Sequence, residues 1–402
     1  MSAYFGSIEK CDRLLDIGTD INAYGIVSNA LQAAAREGHL ALVQHLLERG
    51  ANVNVPANFA HEKNRQQCRS SKYGGPQTAL QGAVLGGYYQ VVNCLIEAGA
   101  KVAAPPVDNT DITILDAAAE AFSRKQYHGY DVGYSTHIFR KLLAHGALIN
   151  RTDGGPCGVL HHLVHASQLE CLELVLKERA VTEERAVFRT GRDWGSDIFV
   201  TPIQLAAARH NMEMVELLLK YNADINAPAS DTKLGNRGRT ALQAATTWNE
   251  PSVRIVSLLL QHKADVNAPP AESFGLTALQ GAAISGDVQI AKMLLAHRAD
   301  VNAAAAPSGG RTAIQGAAEH GRLDMVRLLL DNGARPDPEK GFSKAIEFAE
   351  KNHRYHIASL LRAHEDACNG LAMGFSAGRF RDFGGPSSGI LNELTDDNEI
   401  IM

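Results

Sequence analysis

Along residues 276–303, LTALQGAAISGDVQIAKMLLAHRADVNA, apolar and polar positions follow two short helical registers in succession. Leu279, Ala282 and Ala283 fall on one face of a first helix. Ile290, Ala291, Leu294 and Leu295 form an apolar stripe at helical spacing on a second. Thr277 is placed to cap the first helix and Asp287 the second. Gly286 stands where a left-handed residue ends the first helix at least cost. The ADVN at 299–302 then leads into an extended turn. Neither helix is long enough to stand alone, so each unit must bury its faces against a neighbour.

The unit recurs. TALQGAV at 78–84, TALQAAT at 240–246, TALQGAA at 277–283 and TAIQGAA at 312–318 are copies of one opening, with NALQAAA at 29–35 and TPIQLAA at 201–207 as near variants. A fixed-period repeat of helix, turn, antiparallel helix and extended turn predicts a solenoid, because each repeat contacts only its neighbours.

This pattern resembles the ankyrin repeat, with its Thr-Pro-Leu-His-x-Ala-Ala opening, Gly-His turn, Leu-Leu-Leu second helix and closing Gly-Ala-Asp-Val-Asn. Here Ala usually replaces the Pro and Gln the His; Gln is also both donor and acceptor, so it can carry the hydrogen bonds the family's His makes. The Ala-Leu-Gln variant with long turns is similar to ankyrin arrays of fungal multidomain proteins. The resemblance covers about residues 7–363 and implies an all-α ankyrin-repeat solenoid of stacked helix-turn-helix units with extended hairpin turns.

In this frame 1–24 is a partial repeat, matching only the second half of a unit, with Gly6 at the place of Gly286 and Leu14 and Leu15 at those of Leu294 and Leu295. That predicts an exposed apolar flank and suggests a fragment of a longer protein. Residues 25–338 form eight repeats, with insertions at 55–77, 121–136 and 182–200. The last four start at Thr201, Thr240, Thr277 and Thr312, spacings of 39, 37 and 35 residues, the excess over the family period lying in the turns. Residues 339–365 make a polar C-terminal helical cap. Residues 366–402, Gly- and Ser-rich and then acidic, are expected to be a disordered tail, solvated at its end. The residue before each closing Ala is Gly at Gly50, Gly99, Gly146 and Gly333, but Arg179, Asn222, Lys263 and Arg298 in the middle repeats, so a left-handed backbone there predicts local strain.

Composition narrows the reading. The net charge of −5 gives no global case for nucleic acid or a membrane surface. No apolar run is long enough to span a bilayer, and the N-terminus lacks a signal pattern. Six cysteines without a C-x-x-C pair point to reduced thiols and a cytoplasmic or nuclear compartment. His161 and His165 lie one helical turn apart, a spacing that can chelate zinc, yet no third ligand is indicated and His161 occupies the repeat's own motif position, so both are taken as structural. GAVLGG at 82–87 lacks the strand and the Gly-Lys-Ser/Thr end of a phosphate loop. Nothing signals catalysis, a cofactor, a metal or a small-molecule substrate.

What remains is recognition of a protein. Basic residues gather in the long turns: Arg65, Arg69 and Lys72 in one, Arg189 and Arg192 beside Trp194 and Phe199 in another, Lys233, Arg237 and Arg239 in a third. On a net acidic chain they form a basic edge suited to an acidic or phosphorylated segment, with Trp194 and Phe199 as anchors. The expected function is a non-catalytic scaffold, adaptor or sensor module. The rival is the C-terminal recognition part of a larger enzyme, a signalling ATPase or ubiquitin ligase with its catalytic domain upstream.

Overall fold

The computed structural model describes residues 2–25, 28–56, 77–103, 113–125, 132–150, 158–178, 180–183, 185–188, 198–229, 238–247, 252–335 and 342–374. Within them nineteen helices stack as an all-α solenoid. Eight repeats each supply an inner and an outer helix, preceded by a single outer-type helix, Ile8–Asp16, and followed by the pair Ser343–Lys351 and Tyr355–Gly374. Inner helices form one layer: Ala30–Glu37, Ala79–Gly86, Ile114–Lys125, Val159–His165, Pro202–Ala208, Ala241–Ala245, Ala278–Ser285, Ala313–Glu319 and Ser343–Lys351 pack each against the next. Outer helices form the second layer in the same order. The extended turns, or fingers, leave one edge. Among the described residues no helix is long and apolar enough to cross a membrane.

The repeating sequence explains the repeating packing. Leu279, Ala282 and Ala283 of an inner helix and Ile290, Ala291 and Leu294 of its outer helix are buried, as are their counterparts in the other repeats. Small residues at the inner-helix contacts set the spacing: a β-carbon at Gly316 would lie 2.6 Å from Ile284 of the preceding repeat. Thr277 Oγ1 accepts the Gln280 N–H and Asp287 Oδ1 accepts the Ile290 N–H, so both helices are capped as their sequence anticipates. Gly286 takes φ +84°, and Arg322 of the next repeat lies across it where a side chain would otherwise stand.

Three features depart from the sequence reading. Residues 121–125 and 132–136 of the expected insertion 121–136 are helical, in Ile114–Lys125 and Val132–Ala144, which run to 12 and 13 residues; 126–131 lie outside the described residues. Within the expected loop 182–200, Ala186–Phe188 pairs antiparallel with Ile198–Val200. Their β-branched and aromatic triplets favour a strand over irregular coil. The last helix continues to Gly374, past the expected cap boundary at 365, through Asn369 and Gly370 and with no proline to stop it.

Candidate binding surface

The finger edge is built from two sets of side-chain bonds. The first belongs to the motif glutamine. Gln243 Oε1 accepts the Thr240 N–H at 3.0 Å while Thr240 Oγ1 accepts the Gln243 N–H, a reciprocal cap. The same amide's Nε2 donates to the carbonyls of Ala268 and Pro269 at 2.9 and 3.0 Å, at the root of its own finger. Gln32 bonds Val55 and Pro56, Gln204 bonds Ala227 and Pro228, and Gln280 bonds Ala303 and Ala304 in the same way. One buried amide thus caps the start of the helix and positions the finger. This is the hydrogen bonding that the replacement of His by Gln led us to expect.

His161 shows the other solution. It is fully buried, and its Nε2–H donates to Val200 O at 2.8 Å. Burial holds this imidazole neutral, its pKa lowered to about 4. His165 is also lowered to about 4, by burial and then by the nearby Arg209. Among the described residues no three His, Cys, Asp or Glu side chains are grouped to hold a metal.

The second set joins each finger to the next. Asn226 Oδ1 accepts the Asp265 N–H and its Nδ2 donates to Lys263 O. Asn267 does the same to Asp300 and Arg298, Asn302 to Arg335 and Gly333, and Asn54 to Lys101 and Gly99. The residue two positions earlier, Asn52 or the aspartates Asp224, Asp265 and Asp300, braces each finger internally, as Asp265 does by accepting the Asn267 N–H at 2.9 Å. Two positions differ. Glu183 fills the asparagine place and accepts the Asp224 N–H at 2.8 Å, but a carboxylate has no hydrogen to donate. Ala103 offers neither group.

Further along, the fingers touch directly. Phe274 N–H donates to Ser308 O at 2.8 Å and Ser308 N–H to Glu272 O at 3.1 Å. Phe274 sits at φ +53° with its ring over Gly309, where a β-carbon would be 2.3 Å from it, and remains exposed. Arg311 below it pairs with Glu319 at 2.8 Å and stacks 4.3 Å from the centre of the Phe348 ring. The sequence reading missed this pair of fingers, whose signal was the Ser-Phe-Gly and Ser-Gly-Gly tips at matched positions. It also missed Arg185, which reaches Pro228 O at 2.6 Å and ties the strand pair to the following finger.

Of the ten basic and aromatic residues expected to make the binding edge, Arg65, Arg69, Lys72, Arg189, Arg192, Trp194, Lys233 and Arg237 lie outside the described residues. Phe199 lies on the strand Ile198–Val200 instead of in a loop. Arg239 is buried, directly ahead of the cap residue Thr240.

A family model described as ankyrin repeats in three copies matches residues 160–270 and 268–340, and a model of the single ankyrin repeat matches residues 28–58. No curated protein matches the sequence. Among solved structures, the crystal structure of the human ASB11 ankyrin repeat domain is similar at 21% identity and a TM-score of 0.44, over 66% of this chain and 96% of that one.

Proposed function

Because the chain belongs to the ankyrin repeat family, whose repeats mediate protein–protein interaction, we propose that it is a non-catalytic recognition scaffold or adaptor whose finger edge holds an acidic or phosphorylated segment of a partner protein. The observation that carries this reading is the bracing of the finger roots. Gln and Asn bonds fix successive fingers at their bases, so the finger roots stand on a pre-set spacing along one edge. Turns that carry Arg65, Arg69, Lys72, Lys233 and Arg237 on such a base supply cationic donors suited to carboxylates and phosphates. The segment between the paired strands adds Arg189, Arg192 and Trp194 in sequence, with Phe199 on the second strand, and the aromatics are proposed as anchors.

The test is capture of partners by the full chain and by a form lacking 57–76, followed by charge reversal at Arg65, Arg69 and Arg237. We expect binding that weakens steeply with salt and is lost on charge reversal, with the array still folded. Capture unchanged in amount and in salt dependence would reject the acidic-partner reading.

A further inference from the structure

Each inner helix turns into its outer helix at the edge opposite the fingers, and the residue just ahead of the outer helix holds its cap position. Ser7, Asn211, Ser252 and Asp287 fill that position in four units, and each accepts a backbone N–H of the helix it precedes. His39, Tyr88 and Gln168 form no such bond. The last two units place arginine there. Arg322 stands ahead of Leu323–Asp331 without a side-chain cap, and Arg354 directly ahead of Tyr355–Gly374. A guanidinium has no acceptor to offer, and a cation at the positive end of a helix dipole is unfavourable. Neither arginine serves the stability of the helix it precedes.

The two guanidiniums are laid out along this edge one repeat apart. Arg322 crosses Gly286, where a β-carbon would lie 2.5 Å from its Cδ, and Arg354 crosses Gly321, where a β-carbon would lie 2.6 Å from its Nε. Both side chains are exposed, and among the described residues neither is in an ion pair. The acids nearest in sequence are engaged elsewhere: Asp324 faces Arg327 at 3.8 Å, Glu319 pairs with Arg311 at 2.8 Å, and Glu350 pairs with Arg362. Lys351, His353 and His356 add exposed basic groups, and residues 351–364 hold no acid. Tyr355 stands among them, 59% exposed, with its hydroxyl 3.2 Å from His353 Nδ1.

The charge that answers this strip is in the same chain. Glu393, Asp396, Asp397 and Glu399 fall within 393–399, with no base among them. Successive repeats stack about 10 Å apart, and an extended chain covers about the same distance from Glu393 to Asp396. The helix that starts at Tyr355 runs about 30 Å to Gly374. The stretch 374–393 spans up to about 60 Å when extended, so the acidic run reaches back to the start of that helix with length to spare. We propose that the acidic run at 393–399, itself outside the described residues, docks on this edge of its own chain, with its carboxylates on Arg322 and Arg354 and Leu394 against the Tyr355 ring. The contact is one of charge and asks for no fixed conformation in the segment. Tethering supplies a high effective concentration, so the segment is a built-in competitor that any acidic ligand of this edge has to displace. The inference is independent of the finger edge, which lies at the other end of the helices.

Amide resonances of the full chain test the proposal. Glu393→Gln, Asp396→Asn and Asp397→Asn together are expected to move the resonances of Arg322, His353, Arg354 and Tyr355 and to leave those of the finger roots in place. Added salt moves them in the same direction. A carbodiimide joins Lys351 to Glu393, Asp396 or Asp397, and in a mixture of isotope-labelled and unlabelled protein the joined peptides come from one chain. Arg322→Ser with Arg354→Ser, which puts a capping hydroxyl ahead of both helices, keeps the melting temperature and lowers that coupling several-fold. Resonances that neutralisation leaves unmoved overturn the proposal. So does coupling found only between different chains, which marks the run as acting on a second copy, and coupling that the double arginine variant leaves unchanged.

Discussion

Asn267 and Asp300 lie 33 residues apart in sequence and meet in a single bond, the Asp300 N–H donating to the Asn267 side-chain oxygen at 2.8 Å. With the companion bond from Asn267 Nδ2 to Arg298 O at 3.0 Å, one short side chain satisfies both polar groups at the start of the next finger. Asn267→Ala should therefore cost about 2 kcal/mol, the sum of two exposed net hydrogen bonds. Asn267→Asp keeps the acceptor and loses the donor, the situation nature presents at Glu183, and should cost about half as much. Chemical denaturation of the two variants checks the ratio, and faster amide exchange at Asp300 in the alanine variant alone checks its cause.

Gln243 is buried and uses both ends of its amide. Gln243→Glu preserves the acceptor for the Thr240 N–H but removes the donor to Ala268 and Pro269 and places a carboxylate at a buried site. The expected loss is about 3 kcal/mol. It should shrink at acid pH, where the new carboxyl is protonated and can donate again. Melting curves at neutral and acid pH separate this from a simple loss of packing, which would not respond to pH.

Lys263 and Arg298 occupy left-handed backbone at φ +64° and +66°, the place that Gly50, Gly99, Gly146 and Gly333 fill in other repeats. Lys263→Gly and Arg298→Gly should each stabilise the array by about 1 kcal/mol. Gly99→Ala should cost about the same: open space surrounds that position, so only the backbone is strained. Melting temperatures that move the same way in all three variants would contradict the assignment.

His161 stays neutral in the folded chain down to about pH 4, while an unburied histidine titrates near 6.5. Between those values the unfolded chain binds a proton that the folded chain refuses. Stability is thus full above about pH 6.5, falls as pH drops toward 4 and then levels, by about 3 kcal/mol from this residue. His161→Gln, which places the motif's usual amide opposite Val200 O, should remove that share of the decline. Urea midpoints at pH 7 and pH 4.5, compared between the two proteins, measure the difference, since His165 contributes equally to both.

The repeat architecture was legible because it rests on local signals repeated many times. Thr277, Gly286 and Asp287 each announce a helix boundary by a mechanism that needs no distant partner. The glutamine bonds were half legible: donor and acceptor capacity is a property of the residue, but which carbonyl it reaches depends on where the finger returns. The pairing of Ala186–Phe188 with Ile198–Val200 escaped notice because three-residue strands carry almost no period. The burial of Arg239 was not legible from its charge, because it depends on the packing around Thr240. The basic tips were legible as composition, whereas their placement depends on turns with no repeated signal of their own.

Ala103 stands at the rung where Asn54, Asn226, Asn267 and Asn302 link successive fingers, and a methyl group links nothing. The stack is therefore not equally stiff along its length. Bending is expected to concentrate between the second and third repeats, where curvature can change without breaking such a strut, more than in the run from the fifth repeat onward. A partner contacting both stretches sets the angle between them, and Ala103→Asn would lock that angle before the partner arrives.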